Sequence, residues 1–204
     1  MRRNMKNFND HENIVWRGFE RFYDLVMLSL CWLLCSLPVV TVIPASIALY
    51  DCMARCVCGG EGGMLGRFFR TFKNELGRGI LLSLFWGLMI GILLFGYEYG
   101  VAQVSDMIHI LYLCAAAILL AVLCWVVAIE SRFVYGIGML HRNALIFTFG
   151  YLPNTLVITA SLLLGIAALW FAPFLVFVVP GLVANLQHRA VEKVLRKYMP
   201  KEEE

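Results

Sequence analysis

Five long apolar stretches dominate this chain, at Phe22 to Tyr50, Gly79 to Gly96, Met107 to Ile129, Ala144 to Ala172 and Phe174 to Leu186. As helices rising about 1.5 Å per residue, several of them reach across a hydrocarbon core roughly 30 Å thick. Hydrophobic residues make up 61% of the 204 positions and charged residues only 15%, more apolar material than a soluble domain of this length can bury. The pattern predicts an all-α fold: a polytopic transmembrane helical bundle with five to six membrane segments, forming a single membrane domain over 1–204. Basic residues precede the first apolar run, and a small-residue site follows near Ala45, as in a secretory signal. Because the apolar material recurs along the whole chain, the run reads as an uncleaved first membrane segment.

The basic residues suggest an orientation. They fall into four groups: Arg2, Arg3, Lys6, Arg17 and Arg21; Arg55, Arg67, Arg70, Lys73 and Arg78; Arg132 and Arg142; and Arg189, Lys193, Arg196, Lys197 and Lys201. The connections Tyr97 to Asp106 and Phe171 to Phe174 carry none. Lys and Arg near membrane ends favour the cytoplasmic side. Both termini are therefore expected in the cytoplasm, and the two connections without Lys or Arg outside.

Basic groups on both sides of the first run demand an even number of crossings. A helix from Phe22 to Leu37 just spans the core, but its return meets Pro38 and Pro44. Proline lacks the amide donor and disfavours helix in the residue before it. The expectation is an out-and-back unit over 22–57, broken at Pro38 to Pro44, with a helix resuming at Pro44. A single crossing with the N-terminus outside is the alternative. Non-helical backbone at membrane depth must be covered by protein or line a watery cavity. The Leu37 to Ala45 stretch is therefore expected inside the bundle, either as a simple turn or as a broken-helix site at Pro38, Thr41, Pro44 and Ser46. Thr41 and Ser46 are placed to satisfy free backbone groups there.

Gly59-Gly60-Glu61-Gly62-Gly63 marks a hinge. Beyond it, Leu65, Phe69, Phe72 and Leu76 recur at helical spacing, with Arg67, Arg70, Asn74 and Arg78 on another face. This predicts a cytoplasmic amphipathic helix over 64–78 that turns into the membrane near Gly79. Arg67, Phe68, Phe69, Arg70, Phe72 and Lys73 are its candidate contacts with a partner or the membrane surface. Four transmembrane helices are expected over 79–190 and a cytoplasmic tail over 191–204.

Leu34-Cys35-Ser36-Leu37-Pro38-Val39-Val40-Thr41, then Pro44-Ala45, Ala48-Leu49-Tyr50, Gly60-Glu61 and Phe68-Phe69-Arg70-Thr71-Phe72-Lys73 carry a family likeness. The chain resembles the YesL-like family of small bacterial integral membrane proteins, whose function is not established. The resemblance covers about the first eighty residues. Ile43 stands where that family usually has glycine before the second proline. The resemblance implies a bacterial plasma-membrane protein with an accessory role beside carbohydrate uptake systems.

Catalytic chemistry is sparse. Cys52, Cys56 and Cys58 form a cluster without the paired spacing of a zinc site, and a fourth ligand would have to come from elsewhere, for example His141. The cysteines read as small buried hydrophobes, and no metal or cofactor is expected. No nucleophile elbow or phosphate loop occurs. Asp24, Glu98 and Glu130 read as interfacial groups or local ion pairs, with Glu130 beside Arg132; Asp51 and Arg55 form an ordinary i,i+4 pair. Asn154, Asn185 and Gln187 suit interhelical hydrogen bonds. Gly87 with Gly91, and Gly96 with Gly100, have the spacing of close helix packing, within the bundle or in a homo-oligomer. The basic residues track membrane ends, which argues against nucleic acid as a partner.

Two function classes remain open: a non-catalytic accessory or scaffold component presenting the Arg67 to Arg78 helix to transporter subunits, and a small-solute transporter or channel with Leu37 to Ala45 lining its path. An enzyme is not expected.

Overall fold

The computed structural model describes residues 4–60, 62–98, 106–133 and 135–198, with side-chain surroundings described from Phe19 onward apart from residues 106 and 107. Seven helices carry the described chain: α1 Asn4–Cys35, α2 Val42–Cys52, α3 Met64–Gly96, α4 Asp106–Glu130, α5 Ile137–Gly150, α6 Leu152–Phe171 and α7 Val179–Leu195. There is no strand among the described residues. Among the described residues, four segments are long and apolar enough to cross a membrane: Val39–Val57, Met64–Gly96, Ile108–Glu130 and Leu152–Phe171.

The first two helices form an antiparallel hairpin. α1 stops at Cys35, a 3₁₀ turn occupies Val39–Thr41, and α2 begins at Val42, two residues before Pro44. Pro44 is tolerated because it falls in the first turn, where an amide donor has no partner to lose. Thr41 Oγ1 donates to the carbonyls of Cys35 at 2.6 Å and Pro38 at 2.7 Å, which satisfies acceptors left over by the end of α1. Ser46 Oγ donates to Val42 O at 2.7 Å and accepts from Trp32 Nε1 at 3.1 Å, tying the two legs together.

The position of the break corrects one expectation. Leu37 and Val39 are 73% and 81% exposed, and Pro38 and Val40 are exposed too. The turn sits at the exposed far end of the hairpin, not inside the bundle. Thr41 caps the Cys35 and Pro38 carbonyls at this exposed end.

Instead, α2 itself is the central helix. One face, Ile43, Ile47 and Tyr50, joins Leu82 and Trp86 of α3, Trp125 and Ile129 of α4, and Val191 and Leu195 of α7. The other, Ala48, Leu49 and Cys52, packs on Leu25, Leu28 and Cys31 of α1 and Phe68 of α3. A helix buried on both faces needs no polar stripe. A π-helical turn at Met53–Val57 ends it, and the glycine hinge reverses the chain with positive φ at Gly60 (76°) and Gly63 (78°), a region glycine enters without steric cost.

α3 is continuous from Met64 to Gly96, so the expected change of direction near Gly79 does not occur. Its 33 residues measure about 50 Å, longer than the hydrocarbon core by roughly 20 Å. Gly79 makes the tight contact with α2: a Cβ there would lie 2.7 Å from Pro44 Cβ. Gly87 and Gly91 face open space, outside the intramolecular packing, and Gly100 lies outside the described residues.

The apolar run Ala144 to Ala172 divides at Tyr151, just before Pro153, into α5 and α6. α5 has both ends near one end of the bundle: Tyr135, just before it, accepts from Arg78, and Tyr151, just after it, meets Tyr198 at 3.0 Å. α6 and α7 are antiparallel, joined by Asn154 Nδ2 to Ala190 O at 2.7 Å and Gln187 Nε2 to Ile158 O at 3.3 Å. Asn154 and Gln187 thus make the interhelical bonds expected of them, whereas Asn185 lines a pocket described below.

Candidate functional site

Three carboxylates gather five arginines at one end of the bundle. Asp51, only 5% exposed at the end of α2, accepts from Arg67 Nε at 3.0 Å and from Thr71 Oγ1 at 3.0 Å, and pairs with Arg55 at 3.0 Å. Glu130, at the end of α4, pairs with Arg78 Nε at 2.7 Å. Glu192, near the end of α7, pairs with Arg132 at 3.1 Å and Arg196 at 3.4 Å. Arg67 and Arg78 are eleven positions apart on α3, three turns, and so share a face. That face clamps α2 and α4 at once.

The clamp redistributes the six residues singled out on 64–78. Arg67 turns inward to Asp51; Phe68 is fully buried and Phe72 stacks on it at 6.4 Å. Phe69, Arg70 and Lys73 stay exposed. The hydrophobic and basic faces read from periodicity are therefore not the inner and outer faces. Arg67 and Arg78 go inward because carboxylates from other helices wait there, a signal that local spacing does not carry. For the same reason, Glu130 takes Arg78 and Arg132 takes Glu192, not each other. Asp51 is a hub of three groups instead of a simple i,i+4 pair.

The four residues of the broken segment separate. Pro38 is on the exposed turn, Thr41 and Pro44 cap and start α2, and Ser46 lines a cavity. That cavity, about 190 Å³, is lined mainly by apolar groups of α6 and α7 together with Trp32 and Leu49. No group of three potential metal ligands occurs among the described residues; Cys52 Sγ lies 3.7 Å from Met64 O, and His141 stacks on Trp86 at 5.7 Å.

A second, larger concavity escaped the sequence reading. About 550 Å³ in volume, it opens between α1 and α7 and is lined by Arg21, His188, Arg189, Lys193 and Arg196, with Glu192 and Asn185. The helices producing it meet just beyond: Gly181 N donates to Ser29 Oγ at 2.9 Å, and a Cβ on Gly181 would lie 2.7 Å from Leu25 O. Val57 and Cys58 of the π-turn region form its remaining wall. His188, 8% exposed, has its Nδ1 3.9 Å from Glu192 and without a hydrogen-bond partner among the described residues. Burial holds this imidazole below its ordinary pKa, so it is neutral at pH 7.

Four segments long and apolar enough to cross a membrane, three of them with largely exposed apolar side chains, and ion pairs gathered at one end, define a multi-pass helical membrane protein. Residues 25–97 match the family described as protein of unknown function, DUF624. Over the apolar half of α1, α2 and α3 the chain is similar to that family, in agreement with the likeness read from the Leu34 to Lys73 motifs. No curated protein and no solved structure matches the chain.

Proposed function

We propose that this protein is a non-catalytic accessory or scaffold component of the membrane. The observation supporting it is the outer third of α3. Arg67 and Phe68 fix this segment to α2, while Leu65, Phe69, Arg70 and Lys73 project from it as an exposed aromatic and basic surface. A helix held by a half-buried ion pair presents such a surface with little ordering cost on binding. Carbohydrate uptake transporters as the partners, and a bacterial plasma membrane as the address, rest on the family resemblance. Cytoplasmic termini are supported by the absence of Lys and Arg from the connections 36–41, 97–106 and 171–178.

The transporter reading loses its main support, because Leu37 to Val40 lie on an exposed turn instead of lining an interior path. Affinity purification in mild detergent tests the proposal. Transporter subunits should be recovered with the wild-type chain, and recovery should fall at least fivefold with Arg70→Gln and Lys73→Gln together. Recovery of no membrane partner, alongside solute flux through proteoliposomes of the pure protein, would overturn it.

A further inference from the structure

We infer that the concavity between α1 and α7 is a binding site for a phosphate-bearing anion, and that its source is the headgroup of an anionic phospholipid. Four cations line it, Arg21, Arg189, Lys193 and Arg196, against one carboxylate, Glu192. That carboxylate is already held by Arg132 at 3.1 Å. Arg21, Arg189 and Lys193 have no carboxylate partner among the described residues, so their charge is available to a ligand. Its volume of about 550 Å³ lies within the ordinary range of ligand pockets. His188 adds a buried ring nitrogen without a hydrogen-bond partner on the same wall.

The lipid source follows from what adjoins the cations. Next to Arg21 on α1 is the exposed Phe22, and one turn along is the buried Leu25, where the apolar run begins; one turn back along α7 from Arg189 is the exposed Leu186, with Leu182 below it. The pocket therefore stands at the boundary where the lipid-facing surface starts. The crossing at Gly181 closes its deep end. A headgroup bound by the cations would leave its acyl chains beside Phe22, Leu182 and Leu186. Basic pockets between helices at a membrane surface suit anionic headgroups in this way, and guanidinium groups match phosphate oxygens in pairs.

Native mass spectrometry of the detergent-solubilised full chain provides the test, with phosphatidylglycerol, phosphatidylcholine, glycerol phosphate and inorganic phosphate as separate probes. Phosphatidylglycerol should bind at least fivefold more tightly than phosphatidylcholine. Arg189→Gln with Lys193→Gln should remove that preference, Arg189→Lys should keep most of it, and Arg142→Gln, remote from the pocket, should not change it. Unchanged helical content by circular dichroism confirms folding of each variant. If that double variant fails to fold, Arg21→Gln provides the same comparison from α1. Tight binding of glycerol phosphate or inorganic phosphate that the double variant loses would support the anion site and assign it to a soluble ligand. Equal binding of the two lipids, or full preference retained in the double variant, would overturn the proposal.

Discussion

Asp51 on α2 and Arg67 on α3 lie 3.0 Å apart, and this contact determines which side of α3 faces the bundle. The pair is joined by Thr71, one turn further along α3, on the same carboxylate oxygen. With Arg78 on Glu130 along the same face, one helix is keyed to two neighbours by charge as well as by shape.

Replacing Asp51 with Ala removes the buried carboxylate that Arg67, Thr71 and Arg55 share. Loss of a buried carboxylate with three partners is expected to cost about 2 kcal/mol. Arg55→Gln, on the exposed arm of the same hub, should cost less than about 1 kcal/mol. Denaturant unfolding in detergent, followed by helical signal, separates the two.

Arg78 and Glu130 should be energetically coupled. In a double-mutant cycle with Arg78→Gln and Glu130→Gln, the double variant should be more stable than the sum of the single losses predicts, by roughly 1 to 3 kcal/mol. Independent, additive losses would show that the 2.7 Å contact carries no coupling.

Gly79 and Gly87 should respond oppositely to alanine. A methyl at Gly79 meets Pro44 at 2.7 Å, and α2 and α3 must separate, at an expected cost of about 2 kcal/mol. Gly87 faces open space, so its alanine gains helix propensity and should be neutral or stabilising by up to about 1 kcal/mol.

His188 gives stability a pH dependence of known sign. Its folded-state pKa is lowered by burial, so the unfolded chain takes up the proton first as pH falls. Stability from this group is complete above the ordinary value of 6.5 and is lost as pH falls through the lower, folded pKa. Melting temperature should therefore drop between about pH 7.5 and pH 5 more in the wild type than in His188→Gln. A steeper drop in the variant would contradict the burial of a neutral imidazole.

Local chemistry was legible in the chain, and partner choice was not. The helical class, the interruption between Cys35 and Val42, and the roles of Thr41 and Ser46 follow from hydropathy and proline stereochemistry, which act over a few residues. The inward turn of Arg67 and Arg78 depends on Asp51 and Glu130, which arrive from other helices. A charged residue on an amphipathic pattern reads as solvated until its carboxylate is seen. The α1–α7 pocket was hidden for a similar reason: Arg21 and Arg189 are separated by most of the sequence, and only the crossing at Gly181 brings them together. The exposed position of Leu37 to Val40 was misread because Thr41 caps the carbonyls that seemed to need burial.

The central claim is that α1 and α2 make a hairpin whose turn at Val39 lies at the opposite end of the molecule from the Asp51 to Glu192 charge layer. Single cysteines at Val39 and at Gly62, each in a Cys58→Ser background, can be labelled in sealed right-side-out vesicles with a membrane-impermeant maleimide. The account predicts rapid labelling at position 39 and labelling at position 62 only after the membrane is permeabilised. Labelling of both positions from the same side would contradict the hairpin and the one-ended charge layer together.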